Sequence, residues 1–463
     1  MKQLAFLFGL VCWYSFSGAQ PIAERLQRAA EKLQSDSQMR HAILGLSVVK
    51  SETGEKVFEL NAQTGLAPAS CQKTITSAAA MELLGPDHRY QTILGYTGNI
   101  NKGTLKGNLV LIGSGDPSLG SWRYDSAKGE RVLENWLNAL QQQGIRKING
   151  SLIGYAGKWE QETIPGGWIW DDIGNYYGAG STALNWRENQ YDLVLRSSNN
   201  IGDTVQIVRM SPQPYAVKLQ SQLTAAVKGS GDNAYIYLPP FSREGFVRGT
   251  IPAGENSFAI SGSFPDPSMQ TLNMLYKKLD SAGIAPRQFA VDNSRAIPEY
   301  HSLHVYQSPS FDSLNYWFLK RSINLYGEVF MKTIAYEKTG FGSSDEGIRI
   351  VKQFWKERGI ESAALRMIDG SGLSPQNRVT ADALIKVLQY ARSRPWFHYY
   401  YDALPVFNQM KLKSGTIGGA KSFAGYHTAK DGTAYTVAII INNYEGSAGE
   451  IVKKMYGVLD ELK

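Results

Sequence analysis

Cysteine is almost missing from this chain: two residues in 463, Cys12 and Cys71. A disulfide framework is thereby excluded, and once a leader containing Cys12 is removed, Cys71 has no partner even in an oxidising compartment. Histidine is scarce too, six residues without metal-ligand spacing, so neither a metal nor another cofactor is implied. No histidine neighbours Cys71 in sequence. A Cys–His nucleophile is therefore not indicated, and Cys71 reads as a small buried residue. The net charge is +7, but it is dispersed, with no dense basic run. That argues against nucleic acid as a partner and leaves a mildly basic surface that could attract an anionic polymer. After the first 20 residues no apolar run is long enough to span a bilayer, so no stable membrane insertion is expected.

What is present is an ordinary globular balance, 43% hydrophobic and 19% charged, with length for two or three domains. Residues 1–19 read as a signal peptide. Lys2 is the positive end, Leu4 to Tyr14 the apolar stretch, and Ser17-Gly18-Ala19 the small-residue cleavage site. Val11 is bulky for the position before a lipidated cysteine and argues against lipidation at Cys12. The expectation is an exported protein, periplasmic or secreted after cleavage near Ala19.

Ile22 to Leu33 has helical apolar spacing. Ala42–Lys50 and Lys56–Asn61 alternate and read as a hairpin. From about Gln91 the texture becomes rich in Gly, Asn, Ser and Tyr, with short strands and one helix, Ser126 to Gly144. Helical texture returns at Ser310, with helices at Phe311–Leu319, through Tyr336, at Asp345–Glu357 and at Ala381–Ser393 behind a Thr380 N-cap. The end is β then α: Gln409–Lys413, Lys421–Thr428 and Thr433–Asn442 as strands, Ala448–Leu462 as a helix. The reading is an α/β domain with an antiparallel sheet flanked by helices, residues 20–90 plus 299–463. It is split by a mostly β insertion of one or two small domains, residues 91–298.

Chemistry concentrates at Pro68-Ala69-Ser70-Cys71-Gln72-Lys73. Pro68 permits a helix to start after it, the Ala-rich run that follows favours one, and Gly85-Pro86 stops it. Ser70 and Lys73 then share one face of the first turn. A hydroxyl needs a nearby base to become a nucleophile, and a lysine can be that base only when desolvation and another cation keep it neutral. Ser-x-x-Lys alone is weak, arising by chance about once or twice in such a length. Ser47-Val48-Val49-Lys50 is such a copy, but on a strand those side chains face opposite ways. Ser322-Ile323-Asn324 lies between two helices, and Lys413-Ser414-Gly415-Thr416 lies on a strand whose glycine allows close approach. Rival copies at Ser313-Leu314-Asn315, Ser197 to Asn200 and Lys338-Thr339-Gly340 sit in less suitable contexts.

In this order the three motifs match the serine acyl-transferase set of penicillin-binding proteins and class A β-lactamases. The chain resembles class C low-molecular-mass penicillin-binding proteins, the D-alanyl-D-alanine carboxypeptidase/endopeptidase family (peptidase S13). The longer blocks that carry the resemblance are Asp369-Gly370-Ser371-Gly372-Leu373-Ser374, Asn377-Arg378-Val379-Thr380-Ala381, Gly113–Leu119, Gly167–Asp172 and Phe423-Ala424-Gly425-Tyr426. Ile323 stands where the family usually has Asp or Asn, and Ser414 where Thr is commoner.

The resemblance implies Ser70 as nucleophile and Lys73 as its proton acceptor, with Ser322 relaying a proton to the leaving nitrogen. Asn324, Lys413, Ser414 and Thr416 would bind substrate, with an oxyanion hole from the Ser70 and Thr416 backbone N–H groups. Which lysine is the base in each step stays open. The implied substrates are the D-Ala-D-Ala ends or cross-links of peptidoglycan peptides, with β-lactams as inhibitors. A β-lactamase or esterase on the same fold, or a non-catalytic penicillin-binding wall sensor, are the alternatives. The Asp369 block, Asp116-Pro117 and the Trp168–Trp170 pair read as architecture. Carboxypeptidase against endopeptidase preference and oligomeric state are not legible.

Overall fold

The computed structural model describes residues 21–463, so the expected leader lies outside the described residues. Its organising element is a six-stranded antiparallel sheet in the order Val406–Phe407, Met410–Ile417, Ala420–Thr428, Ala434–Asn442, Ile43–Lys50, Lys56–Leu60. The chain's two ends meet here: Ile43 pairs with Asn442, and Lys50 with Tyr435.

The central strand Ala434–Asn442 is apolar at nearly every position because both of its faces are covered. Val437, Ile439 and Ile441 point into a cluster with Leu26 and Leu33 of the first helix, Ile22–Gln34, and Ile451 and Met455 of the last, Ala448–Leu459. Ala438 and Ile440, half a period away, join the opposite cluster. That cluster holds helices Lys73–Leu83, Phe311–Lys320, Asn324–Thr339, Ser344–Lys356 and Ala381–Arg392. Thr380 caps the last of these, its hydroxyl accepting from Ala383 N at 3.0 Å. A short helix, Phe397–Ala403, was not anticipated from the sequence.

Helix Lys73–Leu83 is buried on every side from Lys73 to Met81. A helix of small residues, Ala78-Ala79-Ala80 among them, can be surrounded by others. This burial is what takes the Lys73 amine out of water.

The intervening region has its own core, around Trp136, Leu193, Ile236 and Leu272. A five-stranded mixed sheet runs in the order Phe289–Asp292, Leu152–Tyr155, Leu109–Ile112, Gln91–Tyr96, His301–Gln307. Its last strand lies beyond the expected boundary at 298 and pairs with Gln91–Tyr96. Two three-stranded sheets follow: Gln190–Arg196 between Gln206–Ser211 and Phe258–Ser263, and Glu244–Pro252 between Lys218–Ala226 and Asn233–Tyr237.

The expectation of one helix here is corrected. Besides Gly129–Gln142 there is Pro267–Ser281, opened by Asp266, whose side chain accepts from Met269 N, and by Pro267 at the first turn. Among the described residues no helix is long and apolar enough to cross a membrane.

Candidate active site

Ser70 lies in a 3-10 turn, Ala69–Gln72, that leads into the Lys73 helix. Ala69 adopts a left-handed φ of +45°, a strained conformation for a residue with a side chain. Neighbours hold it there. Ser422 Oγ donates to Pro68 O at 2.5 Å, and Gly372 (φ +83°) packs so closely that a Cβ on it would lie 2.0 Å from Ala69 O. Strand Met410–Ile417 passes on the other side, close enough for a Cβ on Gly415 to lie 2.9 Å from Ser70 N.

Lys73 is fully buried and its Nζ has three partners: Ser70 Oγ at 2.9 Å, Asn324 Oδ1 at 2.6 Å and Ser371 O at 2.6 Å. Two of these are carbonyl oxygens, which only accept. The third is a hydroxyl, which can donate. A neutral amine satisfies all three, with two N–H groups for the carbonyls and its lone pair for the Ser70 proton. Burial, then the positive charge of Lys413, depress the Lys73 pKa well below the ordinary lysine range. Lys413 is itself buried, its Nζ donating to Ser414 O at 2.6 Å, and burial brings its pKa down to about 8.

Asn324 opens helix Asn324–Thr339 rather than sitting in the preceding loop, and its Nδ2 donates to Tyr177 O at 2.8 Å. Ser322 precedes the helix in a left-handed conformation, φ +57°. Ser70, Ser322, Asn324 and Thr416 line one cavity of about 860 Å³. Cys71 Sγ, meanwhile, donates to Lys413 O at 3.1 Å, and burial pushes the thiol pKa up, as suits a packing residue.

The rival motifs fall elsewhere. Lys50 pairs with Glu55, Asn315 accepts from Ser77 Oγ inside the core, and Lys338-Thr339 ends a helix at Gly340.

Four features were not anticipated. Lys421, opposite Thr416 across the hairpin, donates to Thr416 Oγ1 at 2.6 Å and adds a second cation at that end of the cavity. Glu328 is fully buried one turn beyond Asn324; burial and then the charge of Asp369 raise its pKa to about 8. Asp369, read as architecture, is a hydrogen-bond hub. Its carboxylate accepts from Gly372 N (2.7 Å), Ser374 N (2.6 Å), Trp168 Nε1 (2.9 Å), Asn377 Nδ2 (3.0 Å) and Gln72 Nε2 (3.0 Å). Trp168 thus ties the intervening region to the active-site wall. Finally, that region lines the cavity itself with Asp171, Asp172, Tyr176, Tyr177 and Tyr235. The Asp172 pKa is raised to about 6, by burial and then by Asp171. Asp116 stays architectural, buried and accepting from Ser118.

A family described as the D-Ala-D-Ala carboxypeptidase 3 (S13) family matches residues 26–462. A D-alanyl-D-alanine carboxypeptidase of Actinomadura sp. (strain R39) is 24% identical over 453 residues, covering 91% of this chain and 82% of the relative. D-alanyl-D-alanine carboxypeptidase DacB of Haemophilus influenzae is 24% identical over 422 residues, covering 86% of this chain and 84% of the relative. The crystal structure of penicillin binding protein 4 (dacB) from Haemophilus influenzae has the same fold. Its TM-score is 0.80 at 21% identity, over 94% of this chain and 99% of that one.

Proposed function

Since the chain belongs to the D-Ala-D-Ala carboxypeptidase 3 (S13) family, we propose that it is a serine D-alanyl-D-alanine carboxypeptidase, with DD-endopeptidase activity on cross-links as a second use of the same site. One contact carries the reading: a desolvated Lys73 amine 2.9 Å from Ser70 Oγ, in the field of a second lysine. Lys73 takes the Ser70 proton as Oγ bonds to the carbonyl carbon of the penultimate D-Ala. The negative oxygen that forms is held by the Ser70 and Thr416 backbone N–H groups. Ser322 passes a proton to the leaving nitrogen, the C–N bond breaks and D-Ala departs. Water then attacks the ester, releasing the shortened peptide and restoring the Ser70 hydroxyl. Asn324 holds the substrate amide. Lys413, Ser414 and Thr416 hold the terminal carboxylate by charge-assisted hydrogen bonds, with Lys421 adding charge there.

The six-stranded sheet with its helices is the acyl-transferase part, and the intervening region is an insertion that walls the cavity. The substrates are peptidoglycan peptides, and β-lactams are inhibitors, as the β-lactam complex of the Haemophilus influenzae protein supports. Export, to the periplasm or out of the cell, follows from the leader reading.

Incubation with fluorescent penicillin and with cross-linked muropeptides, followed by mass spectrometry, tests the proposal. Stable labelling and loss of one D-Ala are the expected outcome. Rapid turnover of the drug marks a β-lactamase instead, and no labelling a sensor.

Two results follow from the geometry. Acylation is carried by neutral Lys73, so its rate falls as pH drops through the Lys73 pKa, which lies below the usual lysine value. The second-order labelling rate across pH should show that acid limb; a flat profile removes Lys73 as base. Gly415→Ala places a Cβ 2.5 Å from Pro68 O and 2.9 Å from Ser70 N. Separating strand from nucleophile spoils the oxyanion hole and should slow labelling by about 10²–10³-fold, while the far-ultraviolet dichroism stays unchanged. An unimpaired labelling rate rejects the close approach.

A further inference from the structure

Helix Asn324–Thr339 carries three buried polar side chains one turn apart, Asn324, Glu328 and Lys332. Asn324 serves Lys73. Lys332 anchors the insertion, donating to Glu162 O at 2.5 Å and Ser181 O at 3.2 Å and lying 3.3 Å from Glu160. The reaction sequence above uses no part of Glu328. A carboxyl group without any solvent exposure is costly to bury unless it is paired and hydrogen-bonded.

Its contacts are specific. Glu328 Oε2 accepts from Gly370 N at 3.0 Å and Oε1 from Ser371 N at 2.9 Å. The carbonyl of that same Ser371 accepts from Lys73 Nζ at 2.6 Å. The approach is possible because glycines meet there: a Cβ on Gly370 would lie 2.3 Å from Gly327 O. Thr76 Oγ1, from the Lys73 helix, fastens the other side by donating to Gly370 O at 2.6 Å. Residues 370–371 are thus clamped between two helices, with the lysine amine at one end and the glutamate at the other.

We propose that Glu328 is a positioning residue for the general base: it aims the Ser371 carbonyl at Lys73 Nζ, and its charge governs how readily Lys73 takes and gives up the Ser70 proton. The inference rests on the reading of Ser70 and Lys73 as nucleophile and base. The charged groups around Glu328 are Lys73 from the facing helix, Asp369 from the adjacent loop and Lys332 from its own helix, with Lys413 acting on Lys73 from the sheet. A carboxylate there favours the Lys73 ammonium. Lys73 as an ammonium lowers the Glu328 pKa in return, so the carboxylate is the form that faces protonated Lys73, and removing its negative charge lets Lys73 stay neutral to lower pH. It also disturbs the clamp, because a glutamine in place of Glu328 can accept only one of the two N–H groups.

The test is the pH dependence of Ser70 labelling by fluorescent penicillin in the full chain, for the unsubstituted protein, Glu328→Gln and Glu328→Asp. In Glu328→Gln the acid limb should move down by about one pH unit or more, on a lower plateau rate. In Glu328→Asp, which keeps the charge, the limb should stay. A purely structural role lowers plateaus without moving limbs. A Gln limb superimposed on the unsubstituted one overturns the proposal, and so does an Asp limb displaced as far as the Gln limb.

Should Glu328→Gln not fold, carbon-13 spectra of δ-labelled glutamate decide. One glutamate of the native protein should titrate above the ordinary carboxylate range, with its midpoint displaced in Lys73→Met. Absence of such a titration, or an undisplaced midpoint, overturns the proposal equally. An unsubstituted protein that is not labelled at all points instead to failure of the Ser70–Lys73 reading.

Discussion

Replacing Ser70 by alanine is expected to abolish covalent labelling by fluorescent penicillin and to lower D-Ala release by about 10⁴–10⁶-fold. The effect is large because the hydroxyl forms the bond through which the reaction runs. Lys73→Met should fall in the same range, and the double variant should be little worse than either single one. Groups that act as one unit do not contribute additively. Both substitutions leave the fold in place. Ser70 makes one side-chain hydrogen bond among the described residues, to Lys73. Methionine matches lysine in length and packs beside Phe318, at the cost of leaving the Asn324 and Ser371 oxygens without that donor. The measurements are gel fluorescence for the acyl-enzyme and a coupled assay for free D-Ala. Labelling that survives in Ser70→Ala would place the nucleophile elsewhere and end the reading.

The second large effect concerns stability. Asp369→Ala removes the acceptor of five hydrogen bonds, from two backbone N–H groups, an indole and the carboxamides of Asn377 and Gln72. The two carboxamides keep a backbone acceptor each, Ser374 O and Asp369 O. Each buried donor left unsatisfied costs about 1–3 kcal/mol, and relaxation or entering water recovers part. A net loss on the order of 4 kcal/mol is expected. Labelling should be lost with it, since Ser371 O holds Lys73 and Gly372 supports Ala69. Thermal unfolding checks this. A melting temperature within about one degree of the unsubstituted protein would mean the hub contributes little. Asp369→Asn should fall between, because one oxygen stays an acceptor while the new NH₂ opposes the donors facing it.

Parts of the architecture were legible because their signals are local. The alternation of Ile43–Lys50 and the run in Ala434–Asn442 mark strands, and Thr380 marks a helix start. The insertion was harder. Helix Pro267–Ser281 carries an Asp-Pro start, yet it sits among residues of β texture that masked it. Strands Lys218–Ala226 and Glu244–Pro252 pair in parallel and expose much of one face, so their apolar signal is thin. At the site, Glu328 was within reach of spacing, four residues beyond Asn324. Lys421 needed the register across the hairpin, which puts it opposite Thr416. That Trp168 touches Asp369 has no trace in the local sequence.

Ser70 and Lys73 lie on one side of a turn because they are three positions apart and the chain there favours a helix. That much belongs to the sequence alone, since backbone geometry over one turn is local. Whether Lys73 is an ordinary ammonium or a base belongs to the tertiary structure. The answer depends on helices from residues 311–339 closing over it, on Lys413 arriving from the far end of the chain, and on Ser371 and Asn324 offering oxygens. Desolvation and Coulomb interactions sum over all surrounding atoms, whatever their separation along the chain.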